Sequence, residues 1–585
     1  MQMALMKEII RMISPSHCIK GWLALGMVLA LMATTVMPVE TRWGNNDALL
    51  ATALPVLALL GMACLLSQKG EKAGWSWLDK AVGLWYAYYF FRVWMGGEYP
   101  CATQFLKDSC WFFAYVCLRG IFSRTKVSPR GMLLIILVYG SYEAFIGIKQ
   151  VLAGESRHYL YLLTGSFRNP GPYSAYLMAA FIAALTARKD MLSWIATLHF
   201  SGRRYLAWTY DAMLMLIAIV LPATWSRAAM LVLGVMCLWY YREDYRRWRY
   251  GVWGMFVLVF IALYFLKAGS AHGRLLTWLA SLSSWSHAPW LGVGVGGFRH
   301  ACAEGIVEMY ASSPSCGLFT DGNIAEYAFC DLLKVLTEQG IIGALACLLP
   351  VTLLLRQSFH YYKPLFFALL SLFLFSLFSY PFELYPFRFF TVMVAVASSP
   401  QLSSIHPRGK RRLVAVILTG LAIAGCSLFV AREVGTRRAS DQETGLFMGS
   451  SPLFIKDQYI FLPKESDHPQ FLFIFAKALR QAGRYNDSNA ILRQGTLISN
   501  DPMFYLLQGN NYKDMKQYPL AERAYRKAYA MMPNRIYPLY QLMLLYQVSG
   551  QRGKMRQMAR KILEFRPKVP SPATREIKSK AKEVL

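Results

Sequence analysis

Long apolar runs separated by short polar connections fill the chain from residue 21 to residue 431. An α-helix needs about 20 apolar residues to cross the ~30 Å hydrocarbon core of a membrane, and about thirteen runs approach that length. They lie at 21–37, 48–66, 78–94, 105–122, 131–151, 171–187, 206–224, 226–241, 251–267, 335–355, 362–379, 384–399 and 412–431. The pattern predicts an all-α protein that begins with a polytopic membrane helix bundle of about 12–13 spans.

Basic residues mark alternate connections between these runs. The basic connections contain Lys69, Lys72, Arg124, Lys126, Arg130, Arg188, Lys189, Arg203, Arg204, Arg242, Arg246, Arg247, Arg249, Arg408, Lys410, Arg411 and Arg412. The connections at 38–47, 95–104, 153–170 and 380–383 carry few Lys or Arg. Because Lys and Arg accumulate in cytoplasmic connections, the pattern places the N-terminus in the cytoplasm. With an odd number of spans, the C-terminus lies on the opposite side.

Two parts of the chain interrupt the membrane pattern. Residues 268–334 form a long, polar, Gly-rich loop on the extracytoplasmic side, and a loop of this length is usually functional or disordered. Residues 432–585 form the second part. We therefore expect a membrane domain at 1–431 that includes the loop, a linker at 432–466 and a further domain at 467–585.

The last domain carries a sequence period. Ser499, Pro533 and Pro567 follow one another at intervals of 34 residues, and Ala490 and Ala524 are one period apart. This period is typical of tetratricopeptide helical hairpins, which present a concave face to a protein or peptide. The predicted repeats are 467–500, 501–534 and 535–568. The alternative is a generic helical bundle with a chance period.

Composition agrees with a membrane location. The chain is 55% hydrophobic and 16% charged, whereas soluble domains carry roughly 25% charged residues. Its net charge of +29 would suggest nucleic acid in a soluble protein, but here the basic residues lie between apolar runs. That placement favours topology signals and contacts with anionic membrane lipids, and no nucleic-acid partner is expected.

The cysteines do not predict a metal site. The eleven cysteines show neither CxxC nor Cys/His metal-ligand spacing, so no metal and no cofactor is expected. Cys302, Cys316 and Cys330 share the large loop. Outside the cytoplasm these three residues can either form one disulfide or remain free thiols.

Charged residues at the edges of apolar runs are the first candidates for chemistry, because a charge in a membrane is costly. Arg227 separates two apolar runs in TWSRAAML, where the alternative is a snorkelling interfacial arginine. Arg274 opens the loop, and Arg299 follows the Gly-rich segment APWLGVGVGG. Because glycine allows close backbone approach and arginine matches phosphate oxygens, these residues are candidates for an anion site.

Carboxylates and a histidine in the same loop are candidate bases. Glu326, Asp331 and Glu338 lie where the loop runs into the next apolar run, and 331 and 338 share one helical face. They either face a polar cavity or are solvated at the interface. His300 is a further candidate, although histidines in a polar loop are more often solvated than catalytic.

The order of these elements resembles the O-antigen ligase and O-antigen polymerase superfamily of membrane glycosyltransferases. The C-terminal repeats also resemble extensions found in some Gram-negative members of that family. The matching segments, which cover the core from about 150 to 400, are GSFRNPGPYSAYL at 165–177, SRAA at 226–229, HGR with the following Trp at 272–278, PWLGVGVGGF at 289–298 and LLKVLTEQGIIGAL at 332–345.

The resemblance implies transfer of a glycan from undecaprenyl pyrophosphate to the hydroxyl of a lipid, glycan or protein acceptor. The reaction would be metal-independent and would take place at the periplasmic face of the bacterial inner membrane. Arg227 and Arg274 would bind the pyrophosphate and stabilise it as it departs, with Arg168 and Arg299 as secondary contacts. The repeats would recruit a protein partner, either the acceptor or another assembly enzyme.

One position departs from the family. Its ligases carry a His near the end of the loop, in an A-H-N-[DE]-Y-L type motif, that is thought to activate the acceptor hydroxyl. This chain reads AFCDLL from Ala328, which places Phe329 at the position of that His. Phe cannot accept a proton, so three interpretations remain open: Asp331, Glu326 or His300 is the base, the enzyme is polymerase-like and relies on arginine, or it is inactive. Asp331 is favoured because it remains beside the missing His.

Two functions of other classes compete with a glycosyltransferase. A transporter would show duplicated spans and helices broken near the membrane midplane. No such duplication is evident in the sequence, and transport gives no reason for the arginines of the loop. A non-catalytic scaffold would act through the repeats and use the membrane domain as an anchor. Normal function of an Arg227→Ala variant would favour one of these alternatives.

Overall fold

The structure is a computed structural model. It describes residues 75–97, 99–122, 128–156, 161–167, 169–199, 201–266, 268–314, 316–321, 327–400, 459, 462, 466, 468–567 and 571–585. Within these residues the fold is α-helical and contains no β-strand, which confirms the all-α class. The predicted spans at 21–37, 48–66 and 412–431 and most of the predicted linker lie outside the described residues.

Every apolar run predicted within the described residues is a helix. The helices before the large loop are α1 (Trp77–Trp94), α2 (Ala102–Ile121), α3 (Pro129–Ala153), α4 (Pro170–Ala196), α5 (Arg203–Ala223), α6 (Arg227–Tyr240) and α7 (Arg249–Leu266). The helices after the loop are α10 (Asp331–Tyr361), α11 (Lys363–Ser376) and α12 (Tyr385–Ser398). Three of them, α3, α5 and α10, are long and apolar enough to cross a membrane. These three helices indicate a membrane protein.

The segment at 268–334 is largely helical, although its polar composition predicts a loop. It forms α8 (Ala268–Ser286), α9 (Phe298–Ser312) and a one-turn helix at Leu318–Asp321. The helices bury an apolar cluster of their own, formed by Leu276, Ala280, Phe298, Cys302, Ile306, Phe319 and Ala328. The members in α8 and those in α9 recur four positions apart, a spacing that lines one helical face.

Seven further helices follow in the C-terminal part. They are α13 (Pro469–Gln481), α14 (Tyr485–Ile498), α15 (Met503–Asp514), α16 (Tyr518–Met531), α17 (Tyr537–Val548), α18 (Arg552–Glu564) and α19 (Pro572–Glu583). Helices α13, α15 and α17 begin at Pro469, Met503 and Tyr537, so their starts are 34 residues apart. Each of these helices packs against the helix that follows it. We call α13 to α19 the repeat helices, a name that refers only to this 34-residue spacing of helix starts.

The chain forms two compact units. The first, here called the helix bundle, comprises the described residues of Met1–Ala87, Leu106–Ile261 and Ala346–Arg432. The second, here called the loop–repeat unit, comprises the described residues of Tyr88–Phe105, Ala262–Leu345 and Glu433–Leu585. The sequence pattern groups the large loop with the membrane domain, whereas in the structure the loop packs with the repeat helices.

Helix α4 lies at the centre of the helix bundle, where it packs against α3, α5, α6 and α11. A Cβ atom added to Gly140 of α3 would lie 2.7 Å from the Cβ of Ala180 in α4. Small residues of this kind let two helices approach closely. The alanines of α4 that are at most 5% exposed are Ala175, Ala179, Ala180, Ala183, Ala184 and Ala187.

Candidate functional site

Arg227 begins α6 in the helix bundle. The residue before the N-cap, Trp225, has a left-handed φ of 51°, and the N-cap Ser226 makes no side-chain capping hydrogen bond. Ala228 and Ala229 are buried, so they fix the start of α6 against the bundle while Arg227 is half-buried. Arg227 is therefore a cationic residue in the first turn of a helix, whose positive dipole end also favours an anion such as phosphate.

Two buried polar side chains of α3 hold the GSF segment that precedes α4. Glu143 is 0% exposed and accepts hydrogen bonds from the backbone N–H of Ser166 at 3.0 Å and from the Ser166 hydroxyl. Gln150 accepts from the N–H groups of Thr164 and Gly165, at 3.1 and 2.8 Å, and donates to the Gly165 carbonyl at 2.6 Å. The segment is therefore fixed on both sides of the glycine. Arg168, the candidate that follows it, lies outside the described residues.

A second set of polar contacts lies at the start of α4 and near α12. The side-chain amide of Asn169 donates to the hydroxyl of Tyr380 at 3.1 Å. The guanidinium of Arg388 contacts the carboxylate of Asp108 at 2.6 Å and donates to the carbonyl of Phe382. Sequence reasoning missed Glu143, Arg388 and Asp108. The signal that would have found them is a charged residue inside a predicted apolar run.

The Gly-rich segment at 289–297 packs against a kink in α10. Gly340 has a left-handed φ of 68°, and a Cβ added there would lie 2.2 Å from the carbonyl oxygen of Trp290. A Cβ added to Gly292 would lie 2.5 Å from the carbonyl carbon of Glu338. No side chain fits between these two backbones. The segment at 289–297, whose glycines are predicted to approach a ligand, therefore packs directly on α10.

The three candidate carboxylates have different environments. Glu338 is 2% exposed and accepts hydrogen bonds from the Gln104 side chain at 3.2 Å and from the backbone N–H of Phe298 at 3.4 Å. Asp331 is the first residue of α10 and is half-buried. Glu326 lies outside the described residues. Of the two described carboxylates, Asp331 is therefore the more exposed.

Arg274 and Phe329 form a cation–π contact. The guanidinium carbon of Arg274, on α8, lies 5.0 Å from the centroid of the Phe329 ring. Phe329 has a left-handed φ of 51°, which is uncommon for a residue with a large side chain. The position that the resemblance assigns to a histidine base thus holds an aromatic ring that stacks with an arginine. This ring restricts where the Arg274 guanidinium can point.

His300 contacts the repeat helices. Its Nδ1 lies 2.7 Å from the carbonyl oxygen of Thr496, so Nδ1 carries the hydrogen, and its Nε2 lies 3.9 Å from Glu304. Its ring also packs near the ring of Tyr99, at 5.6 Å between centroids. Both ring nitrogens face protein groups, which favours a positioning role for His300. Arg299 precedes it on α9 and is half-buried.

The loop cysteines are free thiols in the structure. Cys302 is fully buried, and burial raises the pKa of its thiol to about 12. It is therefore protonated at neutral pH and unreactive. Among the described residues, no group of three or more His, Cys, Asp or Glu side chains has a geometry that could hold a metal ion.

No protein-family model matches the chain, and no curated protein matches its sequence. The functional interpretation therefore depends on the motifs and on the geometry of the residues described above.

Proposed function

We propose that the chain is a membrane glycosyltransferase of the O-antigen ligase or polymerase type. It transfers a glycan from undecaprenyl pyrophosphate to an acceptor hydroxyl. The polytopic bundle would span the bacterial inner membrane, with the large loop and the tetratricopeptide-like repeats on the periplasmic side. The observation that carries the proposal is the position of Arg227 at the N-terminus of α6, because this combination favours a phosphate-bearing substrate.

Arg227 and Arg274 would bind the pyrophosphate of the carrier. A guanidinium stacks on an aromatic ring through its flat face and binds phosphate oxygens through its edge. The contact between Arg274 and Phe329 is therefore compatible with phosphate binding. In the transition state the bond between the sugar C1 and the pyrophosphate oxygen breaks, and the two arginines would stabilise the negative charge on the departing group. Arg168 and Arg299 would make secondary contacts.

Asp331 would be the base that activates the acceptor. Its carboxylate would accept the proton of the acceptor hydroxyl as the oxygen attacks C1, and a carboxylate is adequate for this step. Its half-buried position at the start of α10 supports this role, whereas Glu338 is buried and contacts Gln104 and Phe298. Asp331 is two positions from Phe329, so the base would be displaced along the chain from the position of the family's histidine.

The test is glycan profiling in a strain that lacks the gene and is complemented with wild type, Arg227→Ala, Arg274→Ala or Asp331→Asn. We expect wild type to restore a glycoconjugate. Each arginine variant should lower its amount by about 10²-fold or more, as expected for loss of an electrostatic contact in a transition state. Asp331→Asn should lower it by a similar factor, since general-base catalysis contributes about 10²–10⁴-fold.

Arg204→Ala is the matched control, because Arg204 is an exposed arginine in the first turn of the membrane-length helix α5. The Arg204→Ala variant should transfer the glycan as well as wild type does. Immunoblotting measures the amount of each variant in the membrane. Equal complementation by all variants would contradict the proposed site and favour a scaffold. If only the arginine variants lose transfer, the result would support a transferase and would show that Asp331 is not its base. The acceptor that gains the glycan distinguishes a ligase from a polymerase.

A further inference from the structure

Helix α9 lies between α8 and the repeat helices. Its residues Cys302 and Gly305 face α8, whereas Ala303 and Val307 face the repeats. Residues three and four positions apart share a helical face, so α9 has two packing faces. It therefore connects the part of the loop that carries Arg274 to the repeat helices.

The repeat helices hold one face of α9 by apolar and polar contacts. Ala303 is 2% exposed and belongs to the same buried cluster as Tyr505 and Tyr525 of the repeats. Lys527 of α16 forms an ion pair with Glu304 at 2.6 Å and lies 4.7 Å from the ring centroid of Tyr505. Burial is the largest single influence on the pKa of Lys527 and lowers it, but the hydrogen bonds and charges of Glu304 and Tyr505 together outweigh burial, and the net pKa is raised. The ammonium group therefore remains charged at neutral pH.

Two further contacts lie on the same face of α9. The imidazole of His300 donates to the carbonyl of Thr496 in α14. The ring of Tyr310 meets the ring of Tyr529 edge to face, with 5.8 Å between centroids. An edge-to-face pair of aromatic rings stabilises a contact beyond the effect of its buried area. Contacts thus run along α9 from His300 to Tyr310.

The opposite face of α9 packs so closely on α8 that neither helix can shift without displacing the other. A Cβ added to Gly305 would lie 2.2 Å from the carbonyl oxygen of Ala280. The hydroxyl of Ser284 donates to the carbonyl of Ala301 at 2.5 Å. Because protein interiors are close-packed, a shift of α9 would move α8 and with it Arg274.

We propose that the repeat helices position the large loop of the same chain. In this arrangement α14 and α16 hold α9, and α9 holds α8 in the orientation that presents Arg274. The surface of the repeats formed by α14 and α16 is therefore occupied by the loop and is not a surface for an outside partner. The consequence for glycan transfer rests on the proposed function, whereas the contact itself does not.

The test is a charge reversal in the full-length protein purified in detergent. Lys527→Glu and Glu304→Lys each place like charges together, and the double variant restores an opposite pair. We expect each single variant to raise amide hydrogen exchange in residues 298–312 by about 5- to 10-fold, and the double variant to return it to within about twofold of wild type. Lys527→Gln removes the positive charge without placing like charges together, so it can be used if the charge reversal impairs folding. It should raise amide hydrogen exchange in residues 298–312 by less than Lys527→Glu does.

Lys554→Glu is the matched control. Lys554 contacts Glu522 and the ring of Tyr546, all within the repeat helices. It should leave exchange in 298–312 unchanged. Unchanged exchange in both single reversals, or failure of the double variant to restore it, would overturn the proposal.

Glycan transfer in cells is measured with the same variants. We expect the single reversals to lower transfer about fivefold or more, the double variant to rescue it, and the amount of each variant in the membrane to equal that of wild type, which excludes a loss of fold as the cause. Loss of exchange protection without any change in transfer would overturn the positioning role of the repeats. If wild type itself transfers no glycan while the exchange results hold, the proposed function fails and the intramolecular contact stands.

Discussion

The helix bundle and the loop–repeat unit differ in how they place opposite charges. In the bundle, Arg119 and Asp79 meet at 2.8 Å with side chains only 2% and 0% exposed. In the loop–repeat unit, Lys527 and Glu304 meet at 2.6 Å with side chains 30% and 40% exposed. The distances are similar, but the environments are not. A buried charge that loses its partner costs about 3–5 kcal/mol, whereas an exposed pair contributes about 0–1 kcal/mol.

This difference in burial indicates that the ion pair in the bundle and the ion pair in the loop–repeat unit have different structural roles. The carboxylate of Asp79 also accepts hydrogen bonds from Tyr115 at 2.5 Å and from Ser76 at 2.7 Å, and Arg119 donates to the carbonyl of Pro400 at 3.2 Å, so the pair and its contacts join α1, α2 and the segment after α12. The Lys527 pair joins one loop helix to one repeat helix. The bundle is therefore expected to fail as a whole when its pair is broken, whereas the loop–repeat contact is expected to loosen locally.

The largest effect is expected for Asp79→Ala. The substitution leaves the buried Arg119 without its carboxylate and should lower the free energy of unfolding by about 3–5 kcal/mol. Thermal unfolding in detergent and the amount of protein in the membrane measure the loss. The double variant Asp79→Leu with Arg119→Met should recover most of the stability, because neither charge remains.

Arg130 and Asp190 provide the control in the same unit. They meet at 2.7 Å with side chains 40% and 37% exposed. Arg130→Ala should cost about 1 kcal/mol or less. If Arg130→Ala lowered the free energy of unfolding as much as Asp79→Ala does, burial would not be the reason that one ion pair matters more to stability than the other.

An intermediate effect is expected for Gly340→Ala in the loop–repeat unit. The new Cβ meets the carbonyl of Trp290 at a left-handed φ, so steric clash adds to backbone strain. We expect a loss of about 2–4 kcal/mol and faster hydrogen exchange in 289–297. Gly550→Ala has a similar φ of 73° with open space around it and should cost only about 1 kcal/mol. Equal losses would refute direct backbone packing as the cause.

The smallest effect on stability is expected for Phe329→Leu. The substitution removes the cation–π contact with Arg274, which contributes about 0.5–2 kcal/mol at a partly desolvated site. We expect glycan transfer to fall roughly 2- to 10-fold while the unfolding temperature changes little. Phe329→Tyr keeps an aromatic ring and should transfer nearly as well as wild type. Full transfer by the Leu variant would show that the ring does not position Arg274.

Much of the helical framework can be predicted from the sequence. The apolar runs at 131–151, 206–224 and 335–355 correspond to α3, α5 and α10 because an apolar run of that length has few other stable states. Helix ends also follow local signals: Asn169 caps α4 by accepting from the N–H of Gly171 at 3.0 Å. Arg227 was a candidate for an anion site because it is a charge between two apolar runs.

The contacts of the candidate site follow less directly. The Gly-rich segment reads as a ligand-binding turn, and only the structure shows that it packs on Gly340 and its neighbours. Glu143 escapes notice because a single acidic residue barely changes the hydropathy of a long run. His300 reads as a loop histidine, yet its partner, the carbonyl of Thr496, lies 196 residues away in the sequence.

The sequence by itself determined the α-helical class, the position of the helices that correspond to predicted apolar runs and the set of charged residues worth testing. These properties depend on hydrophobic periodicity, helix caps and charge, which act over a few neighbouring residues. The tertiary structure alone decided that the large loop is helical and packs on the repeats, and that Arg274 stacks with Phe329. Such pairings depend on which faces can be close-packed across long separations in sequence, and local patterns carry no information about that choice.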